Sequence, residues 1–353
     1  MLLEEMSNLP GVSGNEDAIS DYIINNIKDY CDDYRRDKTG NIIAFVEGRK
    51  DEAEEASKRA LKVMLAAHMD EVGFIINGID RNGNLKFMPV GGIDPRVLPG
   101  CRVLVGNNDI KGIIGVKAIH LQGEAEFKKV INIENLRIDI GSDNKRQTEK
   151  LVQLGDTAVF DTVFEEFGDE LYSGKALDDR VGCAILIEML RNIERQDFDL
   201  YVCFTVKEEI GLVGAKILAN EINPDIAFIV EATTSSDLPD NEKNQVSLNK
   251  GPVLTILDGS SINDERLIQY IAQVAKDNQI PYQFKAHPSG GNDTAAIQRN
   301  SAGKVRTAAI SVPCRYIHSP VSVISKPDYD NAFYLILNIV ENFSRRFFAQ
   351  SSE

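Results

Sequence analysis

Two rhythms of apolar residues alternate along this chain. In "GVSGNEDAISDYIINNIKDY" Ile19, Ile23, Ile24 and Ile27 recur at helical spacing, which predicts an amphipathic helix capped by Ser13 or Asn15. "GNIIAFVEG" and "LKVMLAAHMD" are short, nearly unbroken apolar runs, the mark of strands covered on both faces. The charged stretch between them, "RKDEAEEASKRA", reads as a solvated loop or a short helix. Beyond residue 163 Val181, Ala184, Ile185 and Met189 share one helical face, and the strand "DLYVCFTV" follows. Next come a glycine-rich helix start, the strands "DIAFIV" and "PVLTIL", a helix over residues 263–278 and the strand "RTAAISVP". The last helix carries Tyr329, Phe333, Ile336, Val340 and Phe343 at helical spacing, with Pro327 tolerated in its first turn. Such alternation predicts an α/β fold, a mostly parallel or mixed sheet with helices on both faces.

Residues 73–162 break this rhythm. "GFIINGIDRNGNLKFMPVGG", "CRVLVGNNDIKGIIGVK" and "NLRIDIGSDN" are short alternating runs punctuated by Gly, Asn and Asp turns, the pattern of an all-β module. The expectation is a discontinuous α/β domain, residues 1–72 and 163–353, interrupted by a barrel-like β domain over residues 73–162. The β module is expected to stand apart from every candidate functional residue and to serve assembly.

Composition narrows the function classes. With 353 residues, 43% of them hydrophobic and 26% charged, the chain can bury a large core. A formal charge of −15 with no basic run argues against nucleic acid as a partner and favours a small molecule or peptide. No apolar run reaches the length of a membrane span, and "MLLEEMSNLPGVSG" lacks the regions of a signal peptide. Cys31, Cys101, Cys183, Cys203 and Cys314 are scattered singly, which fits neither a disulfide framework nor a thiolate zinc site. The expected location is the cytoplasm.

In an open α/β sheet, chemistry gathers where strands end. After "VMLAA" stand His68 and Asp70, and before the helix "VGCAILIEML" stand Asp178 and Asp179. After "DLYVCFTV" come Glu208 and Glu209, after "DIAFIV" comes Glu231, and beyond "RTAAISVP" comes His318. Each has an ordinary reading, an N-cap for the Asp pair or a solvated turn for the Glu pair. Together they would bury several carboxylates, which requires compensating positive charge. Imidazole and carboxylate suit Zn²⁺ or a similar divalent ion, and the set exceeds one tetrahedral site. Two ions about 3.5–4 Å apart, sharing a carboxylate, would use it. One of the paired Glu residues would then be a ligand and its neighbour a base. His120 and His287 read as structural or loop residues.

The motifs "AHMDEVGF", "KALDDRVG", "VKEEIGLVGA", "IVEATTSSD" and "CRYIHSP", in this order, resemble the di-metal aminopeptidases that include bacterial glutamyl aminopeptidases and tetrahedral (TET) aminopeptidases. The resemblance spans nearly the whole chain. It implies His68 and His318 as terminal ligands of two divalent metals (Zn²⁺ or Co²⁺, with Mn²⁺ as a further candidate) and Asp178 as the bridge. Glu209 would bind beside His318, Glu231 beside His68, Glu208 would be the general base, and Asp70 would support His68. It also implies a cis peptide between Asp178 and Asp179, and dimers built through the β domain that assemble into a tetrahedral dodecamer. Many members carry Asp where this chain has Glu231, so altered metal geometry is expected there.

The implied activity is removal of N-terminal residues from short peptides. Two rivals remain at this point: a di-metal deacylase or carboxypeptidase-like amidohydrolase, and a non-catalytic assembly scaffold stabilised by metal. A glycosidase would need two carboxylates flanking a sugar and no metals, which the two histidines fit poorly.

Overall fold

The computed structural model describes residues 1–49, 61–124, 128–237, 246–288, 290–302 and 305–343. Apart from Arg49, the charged stretch "RKDEAEEASKRA" lies outside the described residues. Seventeen strands are described. In chain order they are β1 (Asp33–Arg36), β2 (Ile42–Val46), β3 (Lys62–His68), β4 (Gly73–Ile79), β5 (Leu85–Val90) and β6 (Arg102–Val105). β7 (Ile110–Gly115), β8 (Arg137–Asp139), β9 (Thr157–Phe160), β10 (Glu165–Phe167), β11 (Leu171–Gly174) and β12 (Asp199–Thr205) follow. The last are β13 (Ile226–Thr234), β14 (Val253–Leu257), β15 (Gln283–Ala286), β16 (Arg306–Arg315) and β17 (Ser322–Ser325).

One large sheet runs β1-β2-β12-β3-β13-β16-β17-β11-β10, with β14 pairing β16 and β15 pairing β14. Its middle, β12-β3-β13-β16, is parallel, and antiparallel strands flank it on both sides. The buried runs occupy that parallel middle, since helices cover both of its faces. Strands running the same way end on the same side, so their carboxyl ends share one edge. β3 and β13 stay paired only to Ala66 and Ile229. They diverge before reaching His68 and Glu231, which opens a crevice.

The helix Leu177–Asn192 lies against this middle and is buried on almost every side, not only along the Val181, Ala184, Ile185 and Met189 stripe. The helices Glu265–Asp277 and Lys326–Asn342 begin at Asp264 and Ser325, whose side chains accept from Leu267 N and Asp328 N. Pro327 sits in the first turn as expected. The helix Asp17–Ile27 departs from expectation: its N-cap is Glu16, with no side-chain capping bond. Ser13 and Asn15 are engaged elsewhere, with Asp70 and Thr157.

β4-β5-β8-β7-β6-β9 close into a barrel with a separate apolar core. Phe74 packs edge-on to Phe87 and Phe160 at 5.0 and 5.3 Å between ring centroids, which suits the aromatic quadrupole. Cys183, Cys203 and Cys314 are buried, and all five cysteines are unpaired. No helix among the described residues is long and apolar enough to cross a membrane.

Candidate metal centre

Two histidines from opposite ends of the chain meet on one carboxylate. His68 ends β3, and its Nε2 lies 3.2 Å from Asp178 Oδ1. His318 follows β16, and its Nε2 lies 3.2 Å from Asp178 Oδ2. Each ring is anchored through its other nitrogen: His68 Nδ1 faces the Asp70 carbonyl at 3.1 Å, and His318 Nδ1 faces the Gly92 carbonyl at 3.1 Å. A carbonyl only accepts, so each Nδ1 carries a proton; each Nε2 faces Asp178, donating to it when the ring is charged and offering a lone pair to a metal when the ring is neutral.

Asp178 is aimed by its neighbour. The Asp178–Asp179 peptide is cis, and both residues have non-helical dihedrals at the head of the helix Leu177–Asn192. Asp179 does the capping work, Oδ1 accepting from Gly182 N at 3.0 Å and Oδ2 from His68 N at 3.2 Å. That leaves Asp178 to point into the crevice.

Asp70 lies beneath the paired glutamates. Its carboxylate accepts from Glu208 N at 3.0 Å, Glu209 N at 3.2 Å and Ser13 Oγ at 2.6 Å, and its Oδ1 is 3.6 Å from His68 Nδ1. One buried acid thus fixes both the histidine and the turn that carries Glu208 and Glu209. Ala176, Lys207 and His318 hold left-handed φ values of 54°, 57° and 58° around this centre, where such conformations tend to collect.

His68, Glu208 and Glu209 each place a ligand atom within 4.8 Å of the others, and so do Asp178, Glu209 and His318. Glu231 belongs to neither group. It is buried within β13, three residues before the strand ends, where Oε1 accepts from Asn292 Nδ2 at 2.5 Å and Ser311 Oγ at 3.3 Å. Even so, it lines one cavity together with His68, Asp178, Glu208, Lys285 and His318. His120 and His287 are exposed and join neither group.

Burial dominates the electrostatics. It pushes Glu208 far above the usual carboxylate range, raises Glu209, lifts Glu231 to about 8 and brings Asp293, which accepts from Thr205 Oγ1, to about 6. Burial opposes a charged His318 as well, but the bond to Asp178 and the nearby Glu209 carboxylate outweigh it and raise its pKa to about 11. For Asp178 burial works upward, yet the bonds from His318 and His68 win and depress it. So many carboxylates can ionise together here only beside added positive charge. Glu209 Oε1 is buried 3.0 Å from His318 Nε2 yet makes no well-directed hydrogen bond. A converging set of imidazole nitrogens and carboxylate oxygens with an orphaned buried acceptor fits divalent first-row ions.

Sequence reasoning missed the supports: Ser13 under Asp70, Asn292 on Glu231 and Gly92 behind His318. Asn292 had a usable signal, an Asn preceding a helix, and its side chain does accept from Thr294 N. Gly92 corrects an expectation. The β module does not stand apart from every candidate residue, because the segment after β5 buttresses His318. Gly91 has φ +83, and a Cβ there would meet Val72 at 2.7 Å and Glu209 at 3.3 Å. Only glycine lets this segment approach so closely.

The sequence profile of M42 glutamyl aminopeptidase matches residues 40–335. The lysyl aminopeptidase of Pyrococcus furiosus is 33% identical over 96% of this chain and 96% of its own. Among solved structures, an aminopeptidase from the archaeon Desulfurococcus kamchatkensis superposes with a TM-score of 0.92 at 34% identity, covering 100% of this chain and 97% of that one. The TET1 peptidase of Pyrococcus horikoshii, described as assembling into a tetrahedron or a large octahedral shell, gives 0.85 at 35% identity, covering 97% and 98%. With that family match and full-length similarity behind it, the chain belongs to the M42 glutamyl aminopeptidase family and is a peptide-bond hydrolase.

Proposed function

We propose that this protein is a di-metal aminopeptidase releasing N-terminal residues from short peptides. The observation that carries the reading is the pair of Nε2 atoms, each 3.2 Å from a different oxygen of Asp178. Asp178 would bridge two divalent ions, Zn²⁺, Co²⁺ or Mn²⁺, with His68 and Glu231 completing one site and His318 and Glu209 the other. When bound, the ions polarise the scissile carbonyl and acidify the attacking water.

The chain's own groups do the rest. Glu208 takes the proton of the attacking water and returns it to the leaving nitrogen, a task that suits a carboxyl whose proton affinity burial has raised. Asp70 holds Glu208 and Glu209 by their backbone nitrogens so that the base and the ligand keep separate directions. Asn292 and Ser311 hold one oxygen of Glu231 and leave the other for ligation. This is how the Glu231 side chain would serve as a ligand.

The domain reading belongs to the same proposal: residues 1–72 and 163–353 form the catalytic domain, and residues 73–162 form an inserted domain that dimerises. Dimers would assemble into a tetrahedral dodecamer, which the tetrahedron described for the TET1 peptidase of Pyrococcus horikoshii supports. A cytoplasmic location fits five unpaired cysteines.

Metal analysis beside peptide hydrolysis tests the reading. Two divalent ions per chain are expected, with free amino acids released from unblocked peptides and none from N-acylated ones. Asp178→Asn should lower occupancy of both sites. Release from N-acylated peptides would favour a deacylase. Metal binding without turnover of any peptide would favour a scaffold.

A further inference from the structure

The turn between β1 and β2 and the turn between β4 and β5 are one device built twice. In residues 37–41 Asp37 Oδ1 accepts from the backbone nitrogens of Thr39, Gly40 and Asn41 at 2.7 to 3.0 Å. In residues 80–84 Asp80 Oδ1 accepts from those of Asn82 and Asn84 at 2.9 and 3.1 Å. Each turn closes with the aspartate nitrogen donating to the asparagine carbonyl at 2.9 Å. Each also passes through a glycine of positive φ, +112° at Gly40 and +91° at Gly83. The asparagine Nδ2 reaches the aspartate Oδ2 in both, at 2.8 Å from Asn41 and 3.4 Å from Asn84.

Beyond this the two asparagines part. Asn84 is half-buried, whereas Asn41 is 0% exposed. Asn41 Oδ1 accepts from Val206 N at 3.1 Å, and its Nδ2 donates to Gly214 O at 3.2 Å. β2 and β12 pair antiparallel as far as Ile42 and Phe204, so the turn is carried just past the end of β12, where Val206 stands. Gly214 comes so close that a Cβ there would lie 2.2 Å from Asn41 Oδ1. The turn closes in the barrel with a half-buried asparagine, so the burial of Asn41 serves something else.

Val206 and Gly214 are the two ends of the loop that carries Glu208 and Glu209. Gly214 N donates to Val206 O at 3.0 Å and Val213 N to Lys207 O at 3.1 Å, which closes the loop on itself. Asp70 holds its middle by the nitrogens of Glu208 and Glu209, and Asn41 holds its ends. Val206 is fully buried, and without Asn41 its nitrogen would lose its acceptor. A buried amide left unpaired is costly, so the loop would shift to find another partner.

We propose that Asn41 is a positioning residue of this centre: by tying both ends of the loop it fixes where Glu208 and Glu209 point. Its part in turnover rests on the aminopeptidase reading above. Asn41 touches no reacting atom, and its effect passes through the loop alone.

The test compares Asn41→Ala with Asn84→Ala, the same truncation in the matching turn, well below either melting temperature. Asn41→Ala should lower kcat about 10- to 100-fold with KM little changed, on an aminoacyl p-nitroanilide that the wild type cleaves. Bound Co²⁺ gives a second readout, because Glu209 rides on the same loop: Asn41→Ala should weaken Co²⁺ affinity and alter the visible absorption of the bound ion. Asn84→Ala should keep wild-type kcat and Co²⁺ binding. Asn41→Asp, which loses the donor to Gly214 O, should show the same two losses and is the variant to read if Asn41→Ala does not fold. Wild-type kcat and Co²⁺ binding in whichever of them folds, or equal losses in Asn84→Ala, would overturn the role and leave the aminopeptidase reading intact. A wild type that cleaves no p-nitroanilide but binds Co²⁺ would sink the aminopeptidase reading, and Co²⁺ binding would then decide for Asn41 by itself. Neither cleavage nor Co²⁺ binding in the wild type would overturn both.

Discussion

Two buried clusters of charge sit one residue apart in this chain and balance in opposite ways. Glu71, next to Asp70, binds Lys175 Nζ at 2.8 and 3.0 Å, and Arg180 Nη2 lies 3.5 Å from its Oε1. Lys175 also donates to the Leu9 carbonyl at 2.8 Å, and Arg180 Nη1 to that of Met6 at 2.6 Å. Two cations thus meet one carboxylate, backbone carbonyls at the end of the helix Leu2–Asn8 take Lys175 Nζ and Arg180 Nη1, and Arg180 Nε and Nη2 are left without a hydrogen bond. Around Asp178 the count is reversed, with several carboxylates and two imidazoles. Burial acts on both, lowering the pKa of Lys175 and Arg180 in one and raising those of Glu208, Glu209 and Glu231 in the other. In the first cluster the one acid is matched by cations of the fold itself, which makes it architecture. The second leaves several acids without enough positive charge and is a place for cationic ligands. Buried acid points to function when the fold does not supply its counter-charge.

Five experiments sharpen or break that contrast. The largest effect is expected at the proposed base, where Glu208→Gln keeps the side chain's size but cannot take a proton. Turnover should fall about 10²- to 10⁴-fold, mainly in kcat, with metal content near wild type. Glu209→Gln should instead lower metal occupancy, with activity partly rescued by excess metal. If Glu208→Gln loses metal and Glu209→Gln does not, the two roles are exchanged.

In the closed cluster, Glu71→Gln should leave two cations buried without their acid and cost about 3–5 kcal/mol in denaturant unfolding, with or without metal. A loss that appears only in the metal-loaded protein would merge the two clusters into one. Chelation is the converse. It should lower the melting temperature, since ions at 100 to 1,000 times their Kd stabilise by about 3–4 kcal/mol, and restored metal should return both stability and activity. An unchanged melting curve with the ions gone would count against a surplus of buried acid. The smallest effect is expected at Ser13→Ala, which removes one donor from Asp70 and should cost about 1 kcal/mol while weakening metal affinity. Equal metal affinity would reduce Ser13 to a loop contact.

Much of the site was readable one strand end at a time. His68, Glu208, Glu209, Glu231 and His318 each follow an apolar run, and in a parallel sheet such positions face one edge. The Asp pair was ambiguous because Asp before a helix is also a common cap. In the structure Asp179 takes the cap and Asp178 the crevice, a division that no spacing announces. Ser13 misled for a related reason: a serine before a helical pattern is a good cap, but the buried Asp70 offered it a stronger partner. The antiparallel flanks were not legible because short edge strands such as Glu165–Phe167 carry no distinct apolar run.

By itself, then, the sequence determined the alternation of buried strands and helices, the change of pattern over residues 73–162 and which residue types stand at the strand ends. Those follow from local periodicity, and burial of apolar surface enforces it. Only the tertiary structure decided that Nε2 atoms 110 and 140 residues away from Asp178 would converge on it, and that a carbonyl 226 residues from His318 would orient its ring. Such contacts depend on how strands order and where β3 and β13 diverge, and directional bonds between distant residues leave no periodic trace in the chain.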